Sequence, residues 1–173
     1  MSASRREPLS AAAIDIRTRA LKERIYATFT GLAILAALAA VGHSTGWEAF
    51  VSIAVGVLGI SGAGFLAEVV AHQVNHQSLP DRSELAVMGR IALGALGSAS
   101  APLLLLLAAG LGILDIELAL RIGMAVYAVT LVLIFLIASH RSGLRPFQRL
   151  VSSALFLALA LVVVGVLLIA HLH

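Results

Sequence analysis

The chain has 173 residues, of which 60% are hydrophobic and 12% charged, and its mean hydropathy is +1.02. That balance excludes an ordinary soluble domain; with apolar blocks of about 20 residues it describes an all-α integral membrane protein, one bundle with no separate soluble domain. No cysteine occurs, which excludes disulfides and thiolate metal sites, and a pI of about 10.2 carried by arginines outside the apolar blocks points to anionic lipid at the inner face rather than to nucleic acid.

Residues 1–24 contain Arg5, Arg6, Arg17, Arg19, Lys22 and Arg24, interspersed with Leu9, Ile14, Ile16 and Leu21. The apolar run that follows continues to full spanning length, so the segment does not read as a signal peptide. Two readings stand: an amphipathic helix over 9–24 at the inner membrane surface, or a loosely ordered basic tail.

The remainder, 25–173, predicts a bundle of five spans near 25–42, 49–76, 84–110, 117–139 and 147–170. Helices are required because every backbone polar group inside lipid must be satisfied within its own segment. The breaks fall at "GHSTGWE", "QSLPDRS", "LGILDIE" and "HRSGLRP". Arginine marks the amino terminus, the second break and the fourth, whereas the third carries Asp115 and Glu117. The positive-inside rule then places the amino terminus in the cytoplasm and the carboxyl terminus outside, with Trp47 at the outer interface.

Small residues crowd the second span (Gly56, Gly59, Gly62, Gly64) and the third (Gly94, Gly97, Ser98, Ser100), predicting these two helices as the centre of the bundle. Pro102 removes a backbone donor and should kink the third span. The fifth span, "ALFLALALVVVGVLLIA", is apolar all round and is expected to face lipid or a partner chain.

The stretch "GAGFLAEVVAHQVNHQ" carries the chemistry. At about 100° per residue, Glu68, His72, Asn75 and His76 share one stripe of the second span, near its inner end. Histidines at i, i+4 can ligate one cation, and a carboxylate one turn deeper supplies charge or a proton site. Imidazole and carboxylate suit a divalent transition metal better than Ca²⁺.

Plainer readings compete. Arg90, at nearly the depth of Glu68 on the neighbouring span, would neutralise it, or hold it until a cation or proton arrives. His72 and His76 are equally readable as solvated interfacial side chains. A haem between His72 and His140 lacks a recognisable motif, and Glu117 with Arg121 forms an i, i+4 pair at the outer end. His43, His171 and His173 should face outward, while Tyr26, Thr28 and Thr30 enter the first span. No nucleophile with a neighbouring base, no phosphate loop and no metalloprotease motif occurs, so an enzyme is not expected.

The order of these features resembles the vacuolar iron transporter family, including its short nodulin-like members. "ERIYATFTGLAIL" is similar to that family's first span, "GAGFLAEVV" to its small-residue run before a glutamate, "ALGALGSASAPLLLL" to its third span with proline, and "SHRSGLRPFQRLVSSALFLALALVVVG" to its basic turn into the fifth. The departures are Thr30 where the family has an intramembrane aspartate, Gly64 where it has a methionine, and a short loop where full-length members insert a glutamate-rich domain. Only Glu68 carries over. The resemblance implies a homodimer with the pathway at the subunit interface.

The resulting expectation is transport or sensing of a divalent Fe²⁺- or Mn²⁺-type cation, coupled to protons. Glu68, His72 and His76 would act as ligands, Glu68 with Arg90 as the coupling pair, and Thr30, Gly64, Asn75 and Pro102 would line the pathway. The alternative is a non-transporting accessory subunit whose polar stripe only joins helices.

Overall fold

A computed structural model describes residues 11–42, 44–141, 148 and 151. The expected fifth span at 147–170 lies almost wholly outside these residues, as do the side chain of His140 and all of His43, His171 and His173. Among the described residues the chain is entirely helical: α1 (Ala11–Val41), α2 (Gly46–His76), α3 (Arg82–Leu96), a 3-10 turn (Gly97–Ala99), α4 (Ser100–Gly110) and α5 (Ile116–Arg141). Four stretches are long and apolar enough to cross a bilayer: Ile14–Val41, Gly46–His76, Arg82–Gly110 and Ile116–Ser139. These make the chain a multi-pass membrane protein in composition and length. Only 22% to 33% of each stretch is buried by the described residues, and the large apolar side chains left exposed, such as Val55, Leu66 and Leu133, form a surface suited to acyl chains.

The breaks are built by local chemistry. At α2, Thr45 accepts a hydrogen bond from the Glu48 N–H while the Glu48 carboxylate accepts from the Thr45 N–H, a reciprocal capping box that starts the helix three residues before the sequence-based boundary at 49. Gln77 ends α2 in the left-handed region at φ 53°, and Asp81 with Glu84 repeats the capping box at the start of α3. Gly112, at φ +73°, turns the chain out of α4, and Asp115 accepts from the Leu118 N–H to open α5.

One difference from the sequence-based expectation concerns α1, which runs unbroken from Ala11, through residues 24 and 25 where a surface helix and a first span were to meet. A second concerns the centre. The glycine-rich second and third spans pack against each other through α2 with both α3 and α4, as expected, and α1 shares the centre with them, packing against α2, α3 and α5. Leu32 and Leu35 of α1 are fully buried with Ile53, Val57, Leu106 and Tyr127. Small residues permit close approach without compelling it: a Cβ at Gly59, Gly62, Gly89 or Gly97 would meet nothing within 4 Å among the described residues. Pro102, expected to kink the third span, follows the 3-10 turn that divides it and is buried against Gly123 of α5.

Where glycine is required, the reason is specific. At Gly46 a Cβ would collide with the backbone of Ala109 and Gly110, so α2 and α4 touch main chain to main chain at this end of the bundle. Gly46→Ala must push these helices apart and should destabilise the protein by about 1–3 kcal/mol. Gly62→Ala should be neutral or mildly stabilising, by up to ~1 kcal/mol from helix propensity. Reversible unfolding in detergent or lipid micelles compares the two.

Candidate functional site

Two helical stripes meet at the end of the bundle opposite Gly46. On α1, Asp15, Arg19 and Glu23 recur every fourth residue; on α2, Gly64, Glu68, His72 and His76 do the same. The helices are antiparallel, and their register sets Arg19 against Glu68 and Glu23 against Gly64. Arg19 Nη1 lies 2.5 Å from Glu68 Oε2, and its Nη2 lies 2.8 Å from Asp15 Oδ2. The Glu68 side chain is 13% exposed and that of Arg19 41%. One guanidinium thus spans an exposed carboxylate and an enclosed one.

The partner expected for Glu68 was Arg90, and the structure corrects this: the ion pair is with Arg19, and Arg90 is exposed. Depth counted across the loop between α2 and α3 brought Arg90 to the right level but ignored α1. Because α1 begins at Ala11 and continues in the same helix, its second and third turns reach the level of Glu68.

His72 and His76 stack with ring centroids 4.5 Å apart and planes inclined by 32°. Nε2 of His72 lies 3.4 Å from Oε2 of Glu84, the same oxygen that accepts from the Asp81 N–H at 2.8 Å. The cap that starts α3 therefore also positions a carboxylate behind His72. Asp15, Arg19, His72, His76, Glu84 and Met88 line an open cleft of about 410 Å³ between α1, α2 and α3.

The remaining sequence-derived residues are scattered. Asn75 is exposed, Thr30 is half-buried in α1, Pro102 is in the core, and Gly64 faces Glu23. Among the described residues no group of three or more His, Asp or Glu side chains is arranged to hold a metal ion. The stacked imidazoles lie side by side, so joint chelation by His72 and His76 needs a change of rotamer in one ring.

Asp15, Arg19, Glu23 and Glu84 belong to the site and were missed in the sequence. The signal available was the spacing of Asp15, Arg19 and Glu23, which is that of a single helix face. Asp81, at the rim, accepts from the Glu84 N–H and the Ser83 hydroxyl. Chiefly the Glu84 N–H holds its carboxyl below the usual carboxylate range, and His72 adds a lesser pull.

No family model, no curated protein and no solved structure matches this chain.

The ion-pair assignment predicts a coupling energy of about 0.5–3 kcal/mol between Arg19→Ala and Glu68→Gln in a double-mutant cycle, and none beyond error between Arg90→Ala and Glu68→Gln. The Asp81 cap has a defined pH window. Its folded-state value is depressed, so its stabilisation is complete above the unfolded value near 3.8 and is lost as pH falls through the lower folded value. Asp81→Ala should therefore melt at a lower temperature than wild type near neutral pH, and the gap should close in buffers more acidic than that value.

Proposed function

We propose that the protein takes up a divalent transition-metal cation of the Fe²⁺ or Mn²⁺ type from the cleft, with proton coupling, across the membrane it spans. The observation that carries this reading is the Arg19–Glu68 pair, an enclosed carboxylate whose cation partner is far more exposed and already holds a second acceptor in Asp15. Such a partner is displaceable. A cation arriving at His72 and His76 replaces the guanidinium on Glu68, and Arg19 falls back on Asp15. A proton on Glu68 releases Arg19 in the same way, so proton and metal compete for one carboxylate. Glu84 behind His72 orients the ring as a ligand.

The resemblance to vacuolar iron transporters favours the same chemistry through Glu68. In this reading the basic segment up to residue 24 faces the cytoplasm and anionic lipid, a fifth span at 147–170 completes the bundle, the carboxyl terminus is outside, and two copies form a homodimer. Asn75 sits at the rim, and Thr30, Gly64 and Pro102 shape the passage.

One observation favours the second reading, an accessory subunit. Arg19–Glu68 joins α1 to α2 and His72–Glu84 joins α2 to α3, so the polar groups fasten three helices together. Titration of purified protein with Mn²⁺ or Co²⁺ separates the two. Transport predicts saturable binding that is lost in His72→Ala/His76→Ala and weakened by about tenfold or more in Glu84→Gln. Absence of saturable binding to the wild type, with Arg19→Ala affecting stability alone, leaves the accessory subunit.

A further inference from the structure

Glu23 lies one turn beyond Arg19 on α1 and is 5% exposed. Its carboxylate occupies the space that a side chain at position 64 would fill: a Cβ built on Gly64 would overlap Glu23 Oε2 and sit 2.7 Å from its Cδ. Among the described residues no hydrogen bond or ion pair reaches this carboxylate. Arg19, the nearest cation in register, is spread between Asp15 and Glu68.

Two further buried polar atoms lie deeper in the bundle. Ser61, three residues before Gly64 on the same face of α2, is 3% exposed, and its Oγ has no partner among the described residues. The Tyr127 hydroxyl of α5 is also buried without a partner and lies where a Cβ on Gly31 would be, 2.5 Å away. Gly31 is eight residues beyond Glu23 on α1, about 12 Å deeper. Buried hydroxyls are ordinarily hydrogen-bonded, and these two have no partner among the described residues.

We propose that Glu23 is an intramembrane proton-binding site, loaded from the cleft past the Arg19–Glu68 pair and seated in a niche that exists because residue 64 is glycine. An enclosed carboxylate that has no cation partner among the described residues is open to neutralisation by a species that comes and goes. Here that species is a proton rather than a metal ion, because the carboxylate itself fills the niche and, on α1, the cleft lining goes no deeper than Arg19. The charged groups nearest it in register are Arg19 and Arg24 on α1 and Glu68 on α2; α3 carries Glu84 and the exposed Arg90, and the Tyr127 hydroxyl of α5 lies opposite Gly31, about 12 Å deeper. Arg24 is exposed, with Nη2 3.8 Å from a Cβ on Gly94 of α3. The site stands whether or not His72 and His76 take a metal.

Dicyclohexylcarbodiimide adds to a neutral carboxylic acid reached from apolar surroundings and leaves a stable N-acylurea that mass spectrometry locates. With the full chain in lipid nanodiscs and no metal present, the expected result is label on Glu23 that increases in acidic buffer. The label should be lost in Glu23→Gln and kept in His72→Ala/His76→Ala, which separates this site from the metal reading. Infrared difference spectra between acidic and alkaline buffer supply a reagent-free readout, a neutral-acid carbonyl band present in wild type and removed by Glu23→Gln. Label on Glu68 instead of Glu23, label on Glu23 that does not change with pH, or an infrared band unaffected by Glu23→Gln would each overturn the proposal.

Discussion

A carboxylate enclosed by apolar helices must be given a cation, a hydrogen-bond donor or a proton, and lipid supplies none of them. The cleft end of this molecule is organised by that requirement. Glu68 is met by Arg19, which reaches it because α1 continues unbroken toward the amino terminus alongside α2's last turns. Glu23 has no hydrogen-bond or ion-pair partner among the described residues, and its carboxylate sits against Gly64, where a side chain is absent. Helices with few other polar contacts are thereby set in register, since sliding α1 by one turn would carry Arg19 past Glu68 and drive Glu23 into a residue with a Cβ.

The two ends of the bundle are built differently. At one, α2 and α4 meet backbone to backbone at Gly46 and Gly110, with Trp47 lying over Gly110. At the other, charged side chains surround an open cleft, and the polar contacts between helices there are Arg19 with Glu68 and His72 with Glu84 rather than interlocked main chain. Interlocked backbone resists rearrangement, whereas ion pairs can exchange partners without disturbing the helices that carry them. A site that must admit an ion is better placed at the second kind of end, and the imidazoles, acids and guanidinium are gathered there.

Much of this was legible in the sequence, and the reasons differ by residue. The apolar blocks read as spans because length and hydropathy are properties of single segments, and the helix breaks at Thr45 and Asp81 were visible within a few residues because capping is local chemistry. The stripe of Glu68, His72 and His76 followed from helical geometry alone. The partner of Glu68 did not, because it depends on which helix packs alongside α2, and the Arg90 assignment considered only the helix next in sequence. The basic character of residues 1–24 concealed Asp15 and Glu23, whose spacing marks a helix face, and the burial of Glu23 is a tertiary fact. Glycine density pointed to two spans that do pack together, but not to the individual positions where a Cβ is excluded, such as Gly46, Gly31 and Gly64, each opposite a particular backbone or side chain.

The opposition of Glu23 and Gly64 bears on kinship. Positions 41 residues apart in the chain share one small volume, so their sizes are tied: a long acid at one demands nothing at the other. Distant relatives that have drifted past recognition by overall similarity should still vary at these two positions together, either keeping acid with glycine or exchanging both for a smaller residue facing a larger one. That linked pair, more than the abundant leucines and valines any membrane helix carries, is the mark by which the lineage of this protein can be traced.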